Sequence, residues 1–383
     1  MSAPPLDRRF LLQSAAASAA LLAFSGCRTA RPGNRLPGSN AREGCGLPPV
    51  RVSPEREIRT IAGLRPYRPS GFVVRAETMG DQLVIHNYGH GGGGITLCWG
   101  TAKLAVDLVP RDHRGAVAVL GCGAVGLATA RLLQEAGLPV ALYARDLPPN
   151  TTSNVAGGQW SPFFVSDSSR RTPEFTKQFV AACEFAYRRY QVLVGPRYGV
   201  RWIRNYLLGN EPFREDGLRG RQGPLAPMLP ELRDLDPSEH PFTGYAHVRQ
   251  FDTLLIEPPV YLAALLEDVR AAGASVRVAD FPDRAALRAL PEKVLVNCTG
   301  LGARALFGDE ELTPVKGQLT FLLPQPEVQY IVLHGELYMF PRTDGILLGG
   351  THEEGVWSLE PDPDARRRIL EGHRSFFESY RRC

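Results

Sequence analysis

The chain has 383 residues, a formal net charge of +4 and a hydrophobic fraction of 44%. This length and hydrophobicity are sufficient for a globular protein with two cores, arranged in sequence or interleaved. The charge is spread along the chain without a basic stripe interleaved with aromatic residues, which argues against nucleic-acid binding. The seven cysteines form no CxxC pair and no closely spaced Cys/His quartet, so we predict no metal site.

Residues 1–27 are predicted to be an export signal outside the fold. The stretch "LDRRFLLQSAAASAALLAFSGC" has adjacent arginines at Arg8 and Arg9, an apolar run and a terminal Cys27. The apolar run is shorter than the roughly 20 residues that span a bilayer. The pattern resembles a twin-arginine signal with a lipoprotein cleavage site, which predicts an exported, periplasmic or cell-envelope protein with Cys27 as a candidate lipid anchor. The alternative is an ordinary signal peptide with an incidental cysteine. Residues 28–55 are predicted to be a tether.

Four consecutive glycines, Gly91–Gly94, stand in "HNYGHGGGGITLCWG". A flexible linker would be flanked by polar residues. Here the preceding "DQLVIHNYG" is typical of a strand, and the following "ITLCWGTAKLAVDL" has helical apolar spacing. Glycine at a strand-to-helix junction lets backbone N–H groups approach a bulky ligand. We therefore favour a ligand-binding turn over a linker.

The stretch "GAVAVLGCGAVGLATARLLQEAGLPVALYARD" predicts a strand, a tight turn, a helix and a second strand. Gly121, Gly123 and Gly126 form the G-x-G-x-x-G pattern in the context that a dinucleotide site requires. The pyrophosphate would lie at the helix N-terminus. An acid should follow the second strand to bind the ribose, but Arg145 holds that position and Asp146 comes next. The fingerprint alone leaves NAD and FAD open.

The segment that follows, "DLPPNTTSNVAGGQWSPF" at 146–163, replaces the usual crossover helix. It offers the hydroxyls of Thr151, Thr152 and Ser153, and then a bend of small residues. Hydroxyl donors and glycines placed over the pyrophosphate suit a long, buried flavin tail. The segment therefore favours FAD as the cofactor.

Five stretches together resemble signatures of the D-amino-acid oxidase family: "GLRPYRP", "HNYGHGGGGIT", "TTSNVAGGQWSP", "VNCTGLGARAL" and "YMFPRTDGILLGGTHEEGVWSLEP". The resemblance extends over about residues 56–383. It implies an α/β fold in which a Rossmann-like FAD-binding domain is interleaved with a mixed-sheet α+β substrate domain. It also implies oxidation of D-amino acids to imino acids by hydride transfer to FAD. The imino acids then hydrolyse to 2-oxo acids and ammonia, and oxygen or another electron acceptor reoxidises the flavin.

The motifs stand in a different order from the family's. The segments that close a family member come first here, and "VPRDHRG" joins them to the nucleotide fingerprint, which predicts a circular permutation. The predicted segments are the export signal 1–27, the tether 28–55, substrate-domain segments 56–80, 164–250 and 316–383, and FAD-domain segments 81–163 and 251–315.

The resemblance implies three residues that act on the substrate. Arg65 matches the arginine that binds the substrate carboxylate, and a planar guanidinium suits bidentate capture. Tyr338 matches a tyrosine whose hydroxyl helps to hold that carboxylate, and Gly92 matches a glycine whose carbonyl accepts from the substrate amine. Arg75 resembles a second active-site arginine at a different spacing.

The resemblance also implies a set of cofactor contacts. They are Gly91, Gly93, Gly94, Ile95, Thr96, Gly121, Cys122, Gly123, Ala124, Val125, Gly126, Thr151, Thr152, Gly157, Gly158, Gln159, Val278 and Thr299.

Two histidines mark departures from the family pattern. The segment before Tyr338 is shorter than the lid of the animal enzymes, with His334 near the place of a second tyrosine. His352 follows "GGT", where D-aspartate oxidases have a basic residue, and it is either a residue that faces the substrate side chain or an ordinary polar residue at a strand end. The open alternatives are an oxidase or dehydrogenase of glycine, a secondary amine or D-aspartate, and a non-catalytic flavin-binding envelope protein.

Overall fold

The structure is a computed structural model that describes residues 46–381. The helices of this part of the chain are α1 (Gly94–Val106), α2 (Ala124–Glu135), α3 (Pro173–Val192), α4 (Pro258–Ala271), α5 (Arg284–Arg288), α6 (Gly302–Phe307) and α7 (Pro363–Glu378). Its strands are β1 (Glu57–Tyr67), β2 (Val73–Met79), β3 (Gln82–Tyr88), β4 (Val117–Leu120), β5 (Val140–Ala144), β6 (Val200–Gly209), β7 (Arg233–Asp234), β8 (His247–Ile256), β9 (Ser275–Val278), β10 (Val294–Asn297), β11 (Thr313–Leu322), β12 (Tyr330–His334), β13 (Leu337–Arg342), β14 (Gly345–Gly349) and β15 (Glu353–Glu354).

One sheet of the described residues has the strand order β2-β3-β10-β4-β5-β9. β3, β10, β4, β5 and β9 run parallel to one another, and β2 is an antiparallel edge strand. Every residue of β4, β5 and β10 is buried, as expected for central strands that are covered on both faces. β10 separates β3 from β4, so the strands that precede the two glycine-rich turns are held two places apart in one sheet.

Helices α1 and α2 pack against each other on this sheet, and α3 packs on the outer side of α1. Gly100 makes the second contact possible, because a Cβ at its position would lie 2.0 Å from the carbonyl oxygen of Ala182. The largest hydrophobic core lies among these helices and the sheet, with Leu97, Trp99 and Leu127 at its centre.

The second sheet has the order β1-β11-β14-β13-β12-β6-β8-β7, with β15 paired to β11. It is mixed, since β12 runs parallel to β6 and its other pairs are antiparallel. Helix α7 packs on it through Ile369, Leu370, Phe376 and Phe377. This helix has its apolar residues on one face, which is the pattern that burial on a sheet requires.

The structure confirms the elements predicted around the fingerprint. The strand, helix and second strand are β4, α2 and β5. Helix α1 follows the glycine run, and α3 begins after Thr172, whose side chain accepts a hydrogen bond from the N–H of Phe175.

The observed strand pairing and packing differ from the predicted domain boundaries at three places. β2, in the segment 56–80 assigned to the substrate domain, pairs with β3 through a tight turn. β8 begins before 251 and ends after it, yet pairs with β6 along its whole length. Residues 46–55 were predicted to be tether, but Val50 and Val52 are buried beside α7. Pairing and packing with distant segments decide these boundaries.

The predicted export signal, and the tether up to residue 45, lie outside the described residues. Between residues 46 and 381, no helix combines the length and apolar character needed to cross a membrane. The same residues contain no group of three or more His, Cys, Asp or Glu side chains arranged to hold a metal ion.

Candidate active site

The parallel strands β3, β10, β4 and β5 end at one edge of their sheet, and most of the predicted cofactor residues follow them there. The glycine run follows β3, Thr299 follows β10, the fingerprint follows β4, and Arg145 and Asp146 follow β5. Ligands bind at this edge of open α/β sheets. Sequence segments separated by up to about two hundred residues are therefore brought to one place by parallel pairing.

The fingerprint glycines have distinct roles in the turn between β4 and α2. Gly121 has a φ of +109°, and a Cβ there would lie 2.4 Å from the carbonyl oxygen of Cys298. A Cβ at Gly126 would lie 2.0 Å from the carbonyl oxygen of Gly121, so this glycine lets α2 approach the strand. Cys122 is buried, and desolvation raises the pKa of its thiol to about 12, so it packs as a neutral side chain.

The segment 146–163 reaches the N-terminus of α2. The N–H of Ala124 donates to Ser153 Oγ at 3.0 Å, which places the hydroxyl at the positive end of the helix dipole. Thr151 Oγ1 donates to Asn154 Oδ1 at 2.8 Å, and Thr152 is exposed beside it. The Ser153 hydroxyl thus lies at the helix end where a phosphate would bind.

The rest of the segment connects the two sheets. A Cβ at Gly157 would lie 2.3 Å from the Phe340 ring, and one at Gly158 would lie 2.0 Å from the Ile256 carbonyl oxygen. The side-chain amide of Gln159 donates to Asn205 Oδ1 at 3.0 Å and is buried. These residues hold the segment against the second sheet.

The part of this sheet edge next to β5 and β9 is exposed to solvent. Arg145 Nε and Asp146 Oδ2 form an ion pair of 2.9 Å on the surface. Val278, at the end of β9, is 72% exposed, and Thr299 Oγ1 donates to Asn297 Oδ1 at 2.7 Å.

The glycines of the run 91–94 divide into two kinds. Gly91 and Gly93 serve packing, because a Cβ would lie 2.0 Å from the Phe164 carbonyl oxygen at Gly91 and 2.6 Å from Val165 at Gly93. Gly92 is exposed, its N–H donates to the Phe164 carbonyl at 2.9 Å, and Gly94 opens α1. The run is therefore a structured turn, not a flexible linker.

The first turn of α1 ties the run to the segment 146–163. Ile95 and Thr96 are both buried. The N–H of Ser161 donates to Thr96 Oγ1 at 2.9 Å, and that hydroxyl donates to the Gln159 carbonyl at 3.4 Å.

These residues fit an extended dinucleotide such as FAD. Such a ligand needs an N-terminal helix end without bulky side chains, hydroxyl donors near it, and backbone that a planar ring can approach. The turn at Gly121–Gly126 provides the first, the cluster at 151–153 the second, and the exposed backbone at Gly92 the third.

Arg65 projects from β1 toward the short segment that follows β14. Its Nη1 donates to the Thr351 carbonyl at 3.3 Å, and its Nη2 donates to the Tyr338 hydroxyl at 3.4 Å. None of the carboxylates within residues 46–381 forms an ion pair with it. This half-buried guanidinium is therefore available to an anionic ligand.

Two glycines make room for this pair. A Cβ at Gly317, on the neighbouring strand β11, would lie 2.4 Å from both Nη atoms of Arg65. A Cβ at Gly349 would lie 1.7 Å from the Tyr338 ring. Neither glycine was predicted as a site residue, although a glycine inside a strand is a recognised signal of close approach.

Gly92 lies beside this pair. The Cβ position built on Gly92 is 3.9 Å from Arg65 Cδ and 3.2 Å from the Phe163 carbonyl oxygen. The three residues predicted to act on the substrate, Arg65, Tyr338 and Gly92, are thus brought together between the two sheets.

The remaining candidates lie elsewhere or at the rim. Arg75 pairs with Glu77 at 3.6 Å on β2, opposite His86. His334 is buried against Phe376, and desolvation lowers its pKa to about 4, so it is a core residue. His352 is exposed and lies 5.2 Å from the Phe164 ring, next to Thr351.

Comparison with known proteins identifies the fold. The family model described as "FAD dependent oxidoreductase" (DAO) matches residues 116–382. A D-amino-acid oxidase of Streptomyces coelicolor is 35% identical over 266 residues, which cover 68% of this chain and 77% of that protein. A D-amino-acid oxidase of Rubrobacter xylanophilus is 32% identical over 270 residues, which cover 66% of this chain and 74% of that protein. The crystal structure of glycine oxidase from Geobacillus kaustophilus has the same fold, with a TM-score of 0.53 and 19% identity. The match covers 70% of this chain and 80% of that chain.

The two sheets correspond to the parts of this fold, a Rossmann-like FAD-binding domain interleaved with a mixed-sheet substrate domain. The family and the relatives support FAD-dependent oxidation of an amine or amino acid. The chain therefore belongs to the DAO family of FAD-dependent oxidoreductases, as an enzyme whose cofactor is FAD.

Proposed function

We propose that this enzyme oxidises D-amino acids to imino acids, which hydrolyse to 2-oxo acids and ammonia. The observation that carries the proposal is the guanidinium of Arg65, which has no carboxylate partner in residues 46–381 and lies beside the Tyr338 hydroxyl and Gly92. The relatives named D-amino-acid oxidase support the same substrate class.

The chain's own residues bind and orient the substrate. Arg65 holds the α-carboxylate through paired N–H donors, and Tyr338 adds one hydroxyl donor. The Gly92 carbonyl accepts from the substrate amine, so that two substituents of the α-carbon, the carboxylate and the amine, are held by the protein. When bound, FAD supplies the two-electron acceptor for the hydride of the α-carbon, and oxygen or another acceptor takes the electrons on.

We assign the FAD contacts to the residues at the carboxyl edge of the six-stranded sheet. Gly121–Gly126 and Ser153 would bind the pyrophosphate at the N-terminus of α2. Thr151 and Thr152 would contact the flavin tail, and the turn Gly91–Thr96 would lie against the flavin ring. Val278 and Thr299 would contact the adenosine and the ribityl side of the site.

The experiment is an absorbance titration of the purified yellow protein without oxygen, with D-amino acids, their L-enantiomers, glycine and sarcosine. Bleaching by D- but not L-amino acids, with peroxide formed in air, would support the proposal. Bleaching by glycine or sarcosine alone would replace it with the alternative suggested by the glycine oxidases. A flavin that no substrate reduces would favour a non-catalytic flavin-binding protein.

We also propose that the chain is a circular permutation of its relatives. The family match begins at residue 116, yet β2, β3 and α1 complete the sheet and helix layer that β4 and α2 belong to. The two ends of the described part of the chain are neighbours, because the Tyr330 hydroxyl donates to the Pro48 carbonyl at 2.9 Å and lies 3.1 Å from the Tyr380 hydroxyl. Short joins between such ends are tolerated.

A reordered chain tests this proposal. Residues 116–381, a short Gly/Ser linker and residues 46–110 should fold and bind FAD like the natural order. A control chain opened inside β11, between Gly317 and Gln318, should not. Failure of the first chain to bind FAD would overturn the proposal.

We also propose, from the sequence of residues 1–27 alone, that the protein is exported to the periplasm or cell envelope. Replacing Arg8 and Arg9 together by lysine should hold the precursor in the cytoplasm if the twin-arginine route is used. Cys27→Ala should release soluble protein if that cysteine carries the lipid. Unchanged export of the double variant would contradict the proposed signal.

A further inference from the structure

Arg219, in the segment between β6 and β7, is a half-buried cation without an acid beside it. Its guanidinium carbon lies 3.4 Å from the centre of the Phe163 ring, and its Nη2 donates to Ser161 Oγ at 3.2 Å. Within residues 46–381 no carboxylate lies within ion-pair distance of it. Desolvation lowers the pKa of this arginine to about 9.

The other arginines around this segment are all paired with acids. Arg214 pairs with Asp216 at 2.9 Å, and Arg221 with Glu215 at 2.8 Å. Arg233 pairs with Glu239, and Arg249 with Asp234, each at 2.6 Å. The four acids in these pairs are therefore already engaged, and Arg219 differs from the four paired arginines in having no carboxylate partner within residues 46–381.

The position of Arg219 is fixed by that network. Its carbonyl accepts from Arg249 Nη1 at 3.1 Å, and the Arg249 side chain is almost fully buried. Stacking on Phe163 holds the guanidinium plane and leaves N–H groups at its edge. Keeping a partly desolvated cation without a counter-ion costs free energy, and an anionic ligand would offset that cost.

The residues that hold Arg219 also border the substrate site. The Phe163 carbonyl oxygen lies 3.2 Å from the Cβ position of Gly92, and Arg65 Cδ lies 3.9 Å from the same point. The Ser161 N–H is bound to Thr96 in the first turn of α1. Gly92 thus lies between Arg65 and the Phe163 backbone, with Arg219 stacked on the Phe163 ring.

We propose that Arg219 binds a carboxylate on the substrate side chain, so that the preferred substrates are acidic D-amino acids, D-aspartate and D-glutamate. This inference rests on the proposed oxidation of D-amino acids. A substrate held by its α-carboxylate at Arg65 and by its amine at Gly92 directs its side chain to the wall formed by Phe163. The two arginines then bind the two carboxylates of one dicarboxylic substrate.

The test compares each acid with its uncharged amide, which has nearly the same shape. Wild-type enzyme should have a larger kcat/KM for D-aspartate than for D-asparagine, and Arg219→Met should lower that ratio by about 10–100-fold, mainly through KM. Methionine keeps much of the length and the contact with Phe163. Arg214→Met, which removes a paired and exposed arginine of the same segment, is the matched control and should leave the ratio unchanged.

A binding measurement separates this inference from the proposed function. Succinate should perturb the flavin absorbance at lower concentration than butyrate in wild type, and Arg219→Met should remove most of that difference. If D-amino acids are oxidised but the aspartate-to-asparagine ratio is the same in Arg219→Met and wild type, this inference is wrong and the proposed function stands. If no D-amino acid is oxidised, the proposed function is wrong, and an unchanged succinate preference in Arg219→Met would overturn the carboxylate site as well.

Discussion

Arg65 Nη2 lies 3.4 Å from the Tyr338 hydroxyl, although their strands, β1 and β13, are separated in the mixed sheet by β11 and β14. The two residues are separated by 273 positions in the sequence. Their side chains can meet across these two intervening strands because Gly317 on β11 and Gly349 on β14 have no side chains to block them.

Removing the Arg65 guanidinium should abolish efficient substrate capture. Hydrogen bonds to charged groups contribute roughly 1.5–3 kcal/mol each, so Arg65→Ala should lower kcat/KM by about 10²–10⁴-fold. Arg65→Lys should restore little, because an ammonium group cannot donate in the same paired geometry. Tyr338→Phe should cost less, since one neutral donor is lost. Steady-state kinetics with bound flavin measured in parallel checks this, and near wild-type efficiency of Arg65→Ala would contradict it.

Gly317→Ala should impair the same step without changing a polar group. The added methyl group would lie 2.4 Å from the Arg65 guanidinium, so that side chain must move. We expect kcat/KM to fall by about 10-fold or more, with bound FAD retained. A double-mutant cycle provides the control: adding Gly317→Ala to Arg65→Ala should have little further effect if the glycine acts through the arginine. If the losses in kcat/KM of the two single variants add up in the double variant, Gly317→Ala causes a defect that does not act through Arg65.

Gly126→Ala should weaken FAD binding and lower Tm. Its Cβ would lie 2.0 Å from the backbone carbonyl oxygen of Gly121, and a backbone contact cannot be relieved by a side-chain rotation. Helix α2 must then move away from the turn that approaches the pyrophosphate. Gly115→Ala is the matched control, because its nearest neighbour would be at 3.4 Å, and it should bind FAD normally. Equal flavin content in Gly126→Ala and Gly115→Ala would refute the role of Gly126 in FAD binding.

The ion pair between Glu57 on β1 and Arg366 on α7 should make stability depend on acid pH. Arg366 Nε donates to both carboxylate oxygens of Glu57 at 2.8 Å, and these hydrogen bonds lower the pKa of Glu57. Its contribution is therefore complete above the ordinary glutamate pKa of about 4.3 and is lost as the pH falls through the lowered folded value. Because Arg366 is 41% exposed, Glu57→Gln should lower the free energy of unfolding by only about 1 kcal/mol at pH 7.

Urea unfolding of wild type and Glu57→Gln between pH 7 and pH 3 measures this difference. The two proteins should converge in stability at the acid end of the range. A difference that stays constant with pH would mean that Glu57 acts through packing, not through its charge.

The sequence alone determined the parts of the molecule that depend on local rules. The turn between β4 and α2 follows from the spacing of Gly121, Gly123 and Gly126 between a strand pattern and a helix pattern, and the backbone at Gly121 requires a positive φ that glycine adopts freely. The start of α3 after Thr172 follows from a side-chain cap within three residues. Arg65 and Tyr338 stand in short motifs that resemble those of the family, and their predicted roles come from that resemblance.

Tertiary structure decided what depends on contacts between distant segments. Local sequence does not reveal that Gly91 and Gly93 serve packing against residues 164 and 165 while Gly92 is exposed. It also does not reveal that His334 is stacked on Phe376 of α7. Arg219 stands in an arginine-rich segment, and pairing of its neighbours with the available acids distinguishes it. Ion pairs and stacking depend on distances of a few ångströms in space, and only the folded chain sets those distances.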